Sequence, residues 1–198
     1  NTPLLRGAEC LRKSLVPSLL NARRENEALS NPVVELFETA NIYLPRGEEL
    51  PQQWWMLGMT SGSDFQAVKG VVETVANALN PAITLKADTS DLKLLEPTAS
   101  CSLSIDGELC GFVGQVNKAG LKQFGLRSPT TVAEVRLDLL GDHADFVRQQ
   151  SPLSPYPAIE QDLNLIVDET VRWADLADVV QGAGGELLED VTYRETYY

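Results

Sequence analysis

One carboxylate, Glu38, stands in the middle of an otherwise apolar strand face, and its position suggests chemistry. Read with a period of two, one face of residues 33–44 carries Val34, Leu36, Glu38, Ala40, Ile42 and Leu44. A buried charge is costly unless it is paired, so we expect an arginine or backbone amides to hold this carboxylate. We interpret Glu38 as a structural buried carboxylate. Adenylate chemistry around Glu38 is the alternative.

The other residues capable of chemistry show neither the spacing nor the surroundings typical of a functional site. Two acidic pairs, at 48–49 and 168–169, fall in predicted loops, where a solvated surface is the simpler interpretation. The single histidine, His143, lies in an acidic segment, which argues against a hydrolytic triad and a multi-histidine metal site. The three cysteines lack CxxC spacing, so neither a disulfide framework nor a zinc site is supported. We therefore predict no catalytic, cofactor-binding or metal-binding residues.

Composition and charge narrow the class of protein. The chain has 198 residues, 43% hydrophobic and 22% charged, as in ordinary globular proteins. It contains neither an apolar run of membrane-spanning length nor a segment resembling a signal peptide, so we expect a soluble, cytosolic protein. Its net charge is -12, but residues 1–24 carry five basic residues and one acid. Because a polyanion would be repelled by most of this surface, nucleic-acid binding is expected only near the first helix.

The element that must position Glu38 is the helix preceding its strand. Ser14 is the predicted N-cap, and Pro17 lies in the first turn, where proline costs no hydrogen bond. The helix combines basic residues, expected to be exposed, with a leucine stripe that we expect to exceed what its own core can cover. We therefore predict that this helix contacts another subunit.

The rest of the chain alternates strand and helix patterns. Asp64 caps a helix whose apolar residues recur at three-and-four spacing, and Asp106–Gly107 is a two-residue hairpin turn. These patterns predict an antiparallel sheet with the Glu38 strand at its centre and helices on one side. Three prolines in residues 151–157 mark a boundary. Beyond it we predict a strand (162–168), a helix (173–182) and a strand (187–198).

Six segments in order provide a family resemblance. They are LRKSLVPSLL (11–20), VELFETANIYLP (34–45), DFQAVKGVVETV (64–75), IDGELCGFVGQV (105–116), VRLDLL (135–140) and YPAIEQDLNLIVDE (156–169). Each is weakly specific alone, but the ordered set resembles the β subunit of bacterial phenylalanyl-tRNA synthetase (phenylalanine-tRNA ligase). The chain is similar to a C-terminal fragment of that subunit.

The resemblance implies an α+β fold in two parts. Residues 1–150 would be a class II synthetase-like core domain, an antiparallel sheet with helices that is catalytically silent. Residues 151–198 would be a linker and the first half of a ferredoxin-like anticodon-binding domain, a truncated β-α-β unit. The first helix would stand where class II enzymes build their dimer interface. The interface candidates are Arg12, Ser14, Leu15, Pro17, Leu19 and Leu20.

The implied function is support of ATP-dependent attachment of phenylalanine to tRNA, performed by an α subunit in an (αβ)2 assembly. ATP and magnesium would bind elsewhere in the enzyme, with no cofactor in this fragment and only weak tRNA binding. The sequence has neither an arginine placed on a strand to hold ATP phosphates nor a Gly-x-Gly-x-Gly run followed by arginine, so the fragment itself is not expected to be catalytic. The alternative is a stand-alone protein–protein interaction module with a synthetase-like fold.

Overall fold

Six antiparallel strands form one sheet in the order β1-β2-β6-β5-β4-β3. The computed structural model describes residues 10–29, 31, 33–147 and 155–197. The strands are β1 (Leu36–Arg46), β2 (Glu49–Ser61), β3 (Lys86–Thr89), β4 (Leu95–Ile105), β5 (Glu108–Val116) and β6 (Thr131–Arg136). Chain contacts divide the protein into two units, Asn1–Gln149 and Gln150–Tyr198, and the sheet belongs to the first.

Helices cover both faces of the sheet, not one face as predicted. The helices of the first unit are α1 (Val16–Ala28), α2 (Phe65–Leu79), α3 (Lys118–Phe124) and α4 (Leu137–Asp142). One face packs against α2 and α4 through a cluster that includes Leu57 and Val72, whereas the other packs against α1 and α3 through Met56 and Val132. Neighbouring strand residues point to opposite faces, so both faces are apolar. No helix among the described residues is long and apolar enough to cross a membrane.

Local signals position several of these elements as predicted. The Asp64 side chain accepts a hydrogen bond from Ala67 N at 2.8 Å and begins α2. Gly125, in the left-handed conformation, ends α3. Asp106 and Gly107 both have positive φ (50° and 84°), as a type I′ hairpin turn requires.

Two glycines of β5 allow neighbouring strands to approach closely. A Cβ atom on Gly111 would lie 2.1 Å from Glu134 O, and one on Gly114 would lie 2.5 Å from Ser100 Cβ. A side chain at either position would therefore separate the strands. Ser104 lies opposite Leu109, as the two-residue turn at Asp106–Gly107 requires, but a bulge shifts the next pair so that Leu103 faces Gly111 and not Cys110.

The strand that carries Glu38 is an edge strand, which corrects its predicted central position. Among the described residues β1 pairs only with β2, and the two strands continue through residues 45–53 with a tight turn at Gly47–Glu48. A central position falls instead to β6, whose residues Thr131–Val135 are all buried. Backbone pairing in a hairpin needs no apolar side chains, so the polar sequence hid the length of these strands.

The described residues of the second unit contain one α-helix, α5 (Trp173–Gly184), followed by a short 3-10 turn (Gly185–Leu187). The helix confirms the predicted one, whereas the predicted strands at 162–168 and 187–198 are not formed in the described part. Ile166 and Leu187 are almost fully exposed. Two strands and one helix bury too little apolar surface to form a stable sheet by themselves. The predicted β-α-β arrangement is therefore not observed.

Candidate subunit interface

The residues before α1 run along the outer edge of β1. Tyr43 N donates to Arg12 O at 2.8 Å, and Arg12 Nε donates to Asn41 O at 3.1 Å. Arg12 Nη1 also donates to Glu38 Oε1 at 2.6 Å. An arginine therefore holds Glu38 as expected, but the Glu38 side chain is 35% exposed and is not the buried carboxylate we predicted. Its position on an edge strand explains this exposure.

The buried carboxylate is Glu134, on the central strand β6, and the sequence analysis missed it. It is 3% exposed and accepts hydrogen bonds from Leu15 N at 2.6 Å and from Ser14 Oγ at 2.8 Å. Burial raises its pKa, although these bonds and the charge of Arg12 offset part of the effect. Glu134 thus fixes the N-terminus of α1 to the centre of the sheet. A lone acid in an apolar run is the signal that singled out Glu38, and it was equally present here.

The leucine stripe of α1 faces the sheet, so the predicted exposed stripe is wrong. Leu15 and Leu20 are fully buried and Leu19 is 4% exposed. Leu15 and Leu19 pack directly over Gly58 of β2, where a Cβ atom would lie 2.9 Å from each side chain. Of the predicted interface residues, Pro17 is exposed and Arg12 and Ser14 are half-buried. The leucines belong to the core of this chain.

Arg23 was also expected to be exposed, yet it is 3% exposed in the second half of α1. Its Nη1 donates to Val34 O at 2.6 Å, and its Nε lies 3.2 Å from Glu27 Oε1. Burial alone would raise the pKa of Glu27, but hydrogen bonds from Ser128 and Arg127 and the charge of Arg23 lower it overall. The group connects α1 to the segments before β1 and β6.

On the opposite face of the sheet, an apolar groove of about 490 Å³ runs between β1, β2 and α2. Its wall includes Phe37, Met59, Val71 and Val75. The side chain of Phe37 is 75% exposed and that of Val71 is 50% exposed. Helix α2 packs over β5 and β6 and leaves the outer strand uncovered. Exposed apolar surface of this kind is typical of a protein–protein contact.

Comparison with known proteins identifies the family. A family model described as the phenylalanyl tRNA synthetase beta chain CLM domain matches residues 1–137. The chain belongs to the phenylalanyl-tRNA synthetase β-chain family. This confirms the resemblance carried by the six ordered segments.

Similar curated proteins are phenylalanine–tRNA ligase β subunits. The Rhodopirellula baltica protein is 37% identical over 99% of this chain and 30% of its own length. The Bacillus subtilis protein is 31% identical over 98% of this chain and 26% of its own length. The chain thus spans about a quarter to a third of the relatives that it matches.

A solved structure of a pyrrolysyl-tRNA synthetase from Desulfitobacterium hafniense shares the fold, with a TM-score of 0.54 and 17% identity over 66% of this chain and 48% of that one. The expected class II synthetase-like sheet is therefore confirmed for this member of the β-chain family. A second structure from the same organism, titled PylSc, gives a TM-score of 0.50 at 19% identity over the same shares of the two chains.

The sheet of this β-chain family member does carry an arginine on a strand, which the sequence analysis did not foresee. Arg136 ends β6 and forms ion pairs with Glu108 and Asp138. Its guanidinium also lies 4.6 Å from the ring centre of Trp54. Because two carboxylates already neutralise this cation, the residues around it do not fit a site for ATP phosphates.

The histidine and the two buried cysteines lie in surroundings that suit a structural role better than a catalytic one. His143 is partly buried, and its Nε2 lies 3.5 Å from Asp106 Oδ2. Cys101 and Cys110 are buried free thiols, and burial raises the pKa of Cys110 to about 11. A thiol that stays protonated at neutral pH is a poor nucleophile. Within the described ranges, no three His, Cys, Asp or Glu side chains are grouped to hold a metal ion.

Proposed function

We propose that this chain is a structural and assembly part of the β subunit of a cytoplasmic phenylalanine-tRNA ligase. The enzyme would attach phenylalanine to tRNA at the expense of ATP, with the chemistry performed by an α subunit in an (αβ)2 assembly. The observation that supports this most strongly is the similarity of 99% of the chain to a phenylalanine–tRNA ligase β subunit. Residues 151–198 would contribute to a ferredoxin-like anticodon-binding domain whose sheet needs further strands.

The chain itself would not catalyse amino-acid activation. A transition state that carries phosphate charge needs preorganised cations. On the α1 side of the sheet, Arg136 is paired with two carboxylates, Arg12 is paired with Glu38, and Arg23 is buried beside Glu27. ATP, magnesium and phenylalanine would therefore bind in the α subunit, and this chain would hold no cofactor.

The contact with the α subunit would centre on the outer strand β1. Arg12 and Pro17 remain as candidates from the first helix, and the exposed side chain of Phe37 adds an apolar anchor beside the groove. Because the Arg12 side chain hydrogen-bonds to Asn41 O of β1, this strand joins Arg12 and Pro17 to Phe37 in one continuous surface. Buried aromatic anchors commonly dominate binding energy at such contacts.

Co-purification tests this proposal. A tagged α subunit should retain the β subunit that carries this chain, and Phe37→Asp should reduce retention at least tenfold. Leu109→Asp is the matched control, because Leu109 is also an exposed apolar strand residue, 63% exposed on β5. Equal retention of both variants, with folding intact by circular dichroism, would place the contact elsewhere.

A stand-alone protein–protein interaction module is the second candidate. The uncovered groove supports this function as well as it supports the assembly role. The two proposals differ in the partner. Failure of the wild-type β subunit to retain any α subunit, with the groove still folded, would favour the interaction module.

A further inference from the structure

A long acid-free segment interrupts the strong negative charge of the chain. The net charge is -12, yet residues 109–133 contain three basic residues and no Asp or Glu. The basic residues are Lys118, Lys122 and Arg127. All three are exposed.

The fold gathers these cations around α3 and adds a fourth from α1. Lys118 and Lys122 are four residues apart, so they lie on one side of the helix about one turn from each other. Gly125 ends the helix and leads to Arg127. A Cβ atom on Gly125 would lie 3.5 Å from Arg24 Cδ, so the exposed Arg24 lies at the same end of α3. We call Lys118, Lys122, Arg127 and Arg24 the cationic patch.

Few carboxylates neutralise the cationic patch. Glu27 accepts a hydrogen bond from Arg127 N, but its carboxylate is turned inward to Arg23 and Ser128. Glu25 lies 3.9 Å from Arg24, at the limit of an ion pair. Within the described part of the chain, no ion pair involves Lys118, Lys122 or Arg127.

A pocket of about 330 Å³ opens beside the cationic patch, between α3 and the segment that precedes β4. Its lining includes Lys93, Gln123 and Phe124. Lys93 contributes a further exposed cation, and its carbonyl accepts a bond from the Asn117 side chain, which caps α3. An amide and an aromatic ring can hydrogen-bond to and stack on an unpaired base.

We propose that the cationic patch binds the phosphate backbone of tRNA in the assembled enzyme, with the adjoining pocket accepting an unpaired nucleotide. Lys118 and Lys122 lie one turn apart on α3, a helix of about 10 Å, and Arg127 and Arg24 lie at its C-terminal end, so the four cations do not converge on one point. This arrangement suits a row of backbone phosphates better than the compact triphosphate of a free nucleotide. The inference rests on the proposed function, because it requires tRNA as a substrate.

The test uses the assembled enzyme, with the full-length β subunit, and compares two variants of equal charge. Lys122→Gln with Arg127→Gln removes one lysine and one arginine from the patch. Lys69→Gln with Lys86→Gln removes two cations from α2 and β3, away from the cationic patch and from β1. The measurement is the Kd for a phenylalanine-specific tRNA at salt concentrations from about 50 to 200 mM.

We expect the patch variant to bind tRNA about tenfold more weakly at the lower salt concentration, with a log Kd against log salt slope smaller by about 1 to 2. The control variant should match wild type. Both should retain phenylalanine-dependent pyrophosphate exchange, which needs no tRNA. Excess ATP should not displace tRNA from the patch.

Three results would overturn the inference. The first is a patch variant whose slope of log Kd against log salt equals that of the control variant. The second is displacement of tRNA by ATP in the wild-type enzyme but not in the patch variant. The third is a patch variant that loses pyrophosphate exchange and whose subunits dissociate, which would make the patch a protein contact. The proposed function fails separately, if the wild-type assembly charges no tRNA with phenylalanine.

Discussion

Glu134 and Glu38 both face helix α1, but removing them should change the free energy of unfolding by different amounts, because only Glu134 is buried. Glu38 pairs with Arg12 in partial contact with solvent, whereas Glu134 is buried and accepts two bonds from the start of the helix. Replacing Glu134 with Ala leaves Leu15 N without an acceptor and should cost about 1–3 kcal/mol of unfolding free energy, measured in urea. Glu38→Ala should cost less than about 1 kcal/mol. Equal costs would contradict this assignment.

The pH dependence of stability gives a second prediction for Glu134. Its folded-state pKa lies above the ordinary value of 4.5, so the proton favours the folded state. This contribution is fully present below pH 4.5 and is lost as pH rises through the folded-state pKa. Glu134→Gln keeps an acceptor without titrating, so its stability relative to wild type should increase from pH 4.5 to 8. A constant difference in urea unfolding across that range would refute the assignment.

Arg23 offers a matched comparison on one helix. Arg23→Ala removes the cation beside the partly buried Glu27 and the donor to Val34 O and should cost about 3 kcal/mol, whereas Arg24→Ala on the exposed side should change stability by less than about 0.5 kcal/mol. Because the pKa of Glu27 is lowered, its contribution is present above pH 4.5 and is lost as pH falls through the folded-state pKa. In the Arg23→Ala variant, the loss of stability as pH falls should therefore be smaller than in wild type. Similar urea midpoints for the two variants would contradict the buried pairing.

At the scale of residues, the sequence predicted the partner of Glu38 but not its exposure. An isolated acid on an apolar strand shows that a partner is needed. Whether the acid is buried depends on strand order, which depends on pairing between segments far apart in the chain. Glu134 lies opposite Gly58, more than seventy positions away, and local patterns do not encode that distance.

At the scale of elements, the packing of α1 on β2 depends on a single glycine. A methyl group at Gly58 would collide with Leu15 and Leu19, so Gly58→Ala should cost about 1–3 kcal/mol. Gly70 of α2 is the control, because nothing lies within 4 Å of its position for a Cβ atom and alanine favours helix. Gly70→Ala should therefore be neutral or stabilise by up to about 1 kcal/mol. Thermal unfolding of both variants measures the difference, and a stable Gly58→Ala variant would show that α1 can move.

Elements with their own start and stop signals were the predictable ones. Asp64 and Asn80 bound α2, and the Asp106–Gly107 turn fixed a hairpin, because these effects act over a few residues. The strands predicted after residue 161 lacked such support. Their apolar residues would form a sheet only with further strands, and local propensity does not supply those.

At the scale of the whole molecule, charge and family membership both support the proposed assembly role. The chain is strongly acidic, Arg12 and Arg136 are paired with carboxylates, and an exposed apolar groove lies beside the edge strand β1. Such a chain suits assembly better than phosphate chemistry. The resemblance implies a catalytically silent core, and we propose the pairing of Arg136 with two carboxylates as its physical reason.

Phenylalanine-dependent exchange of pyrophosphate into ATP is the most direct test of this account. We predict exchange by the assembly of the α subunit with the β subunit that carries this chain, and none above background by the isolated chain at any magnesium concentration, because Arg12, Arg23 and Arg136 are held by carboxylates. Loss of exchange on removing the β subunit would support the assembly role. Exchange above background by the isolated chain alone would contradict the central claim.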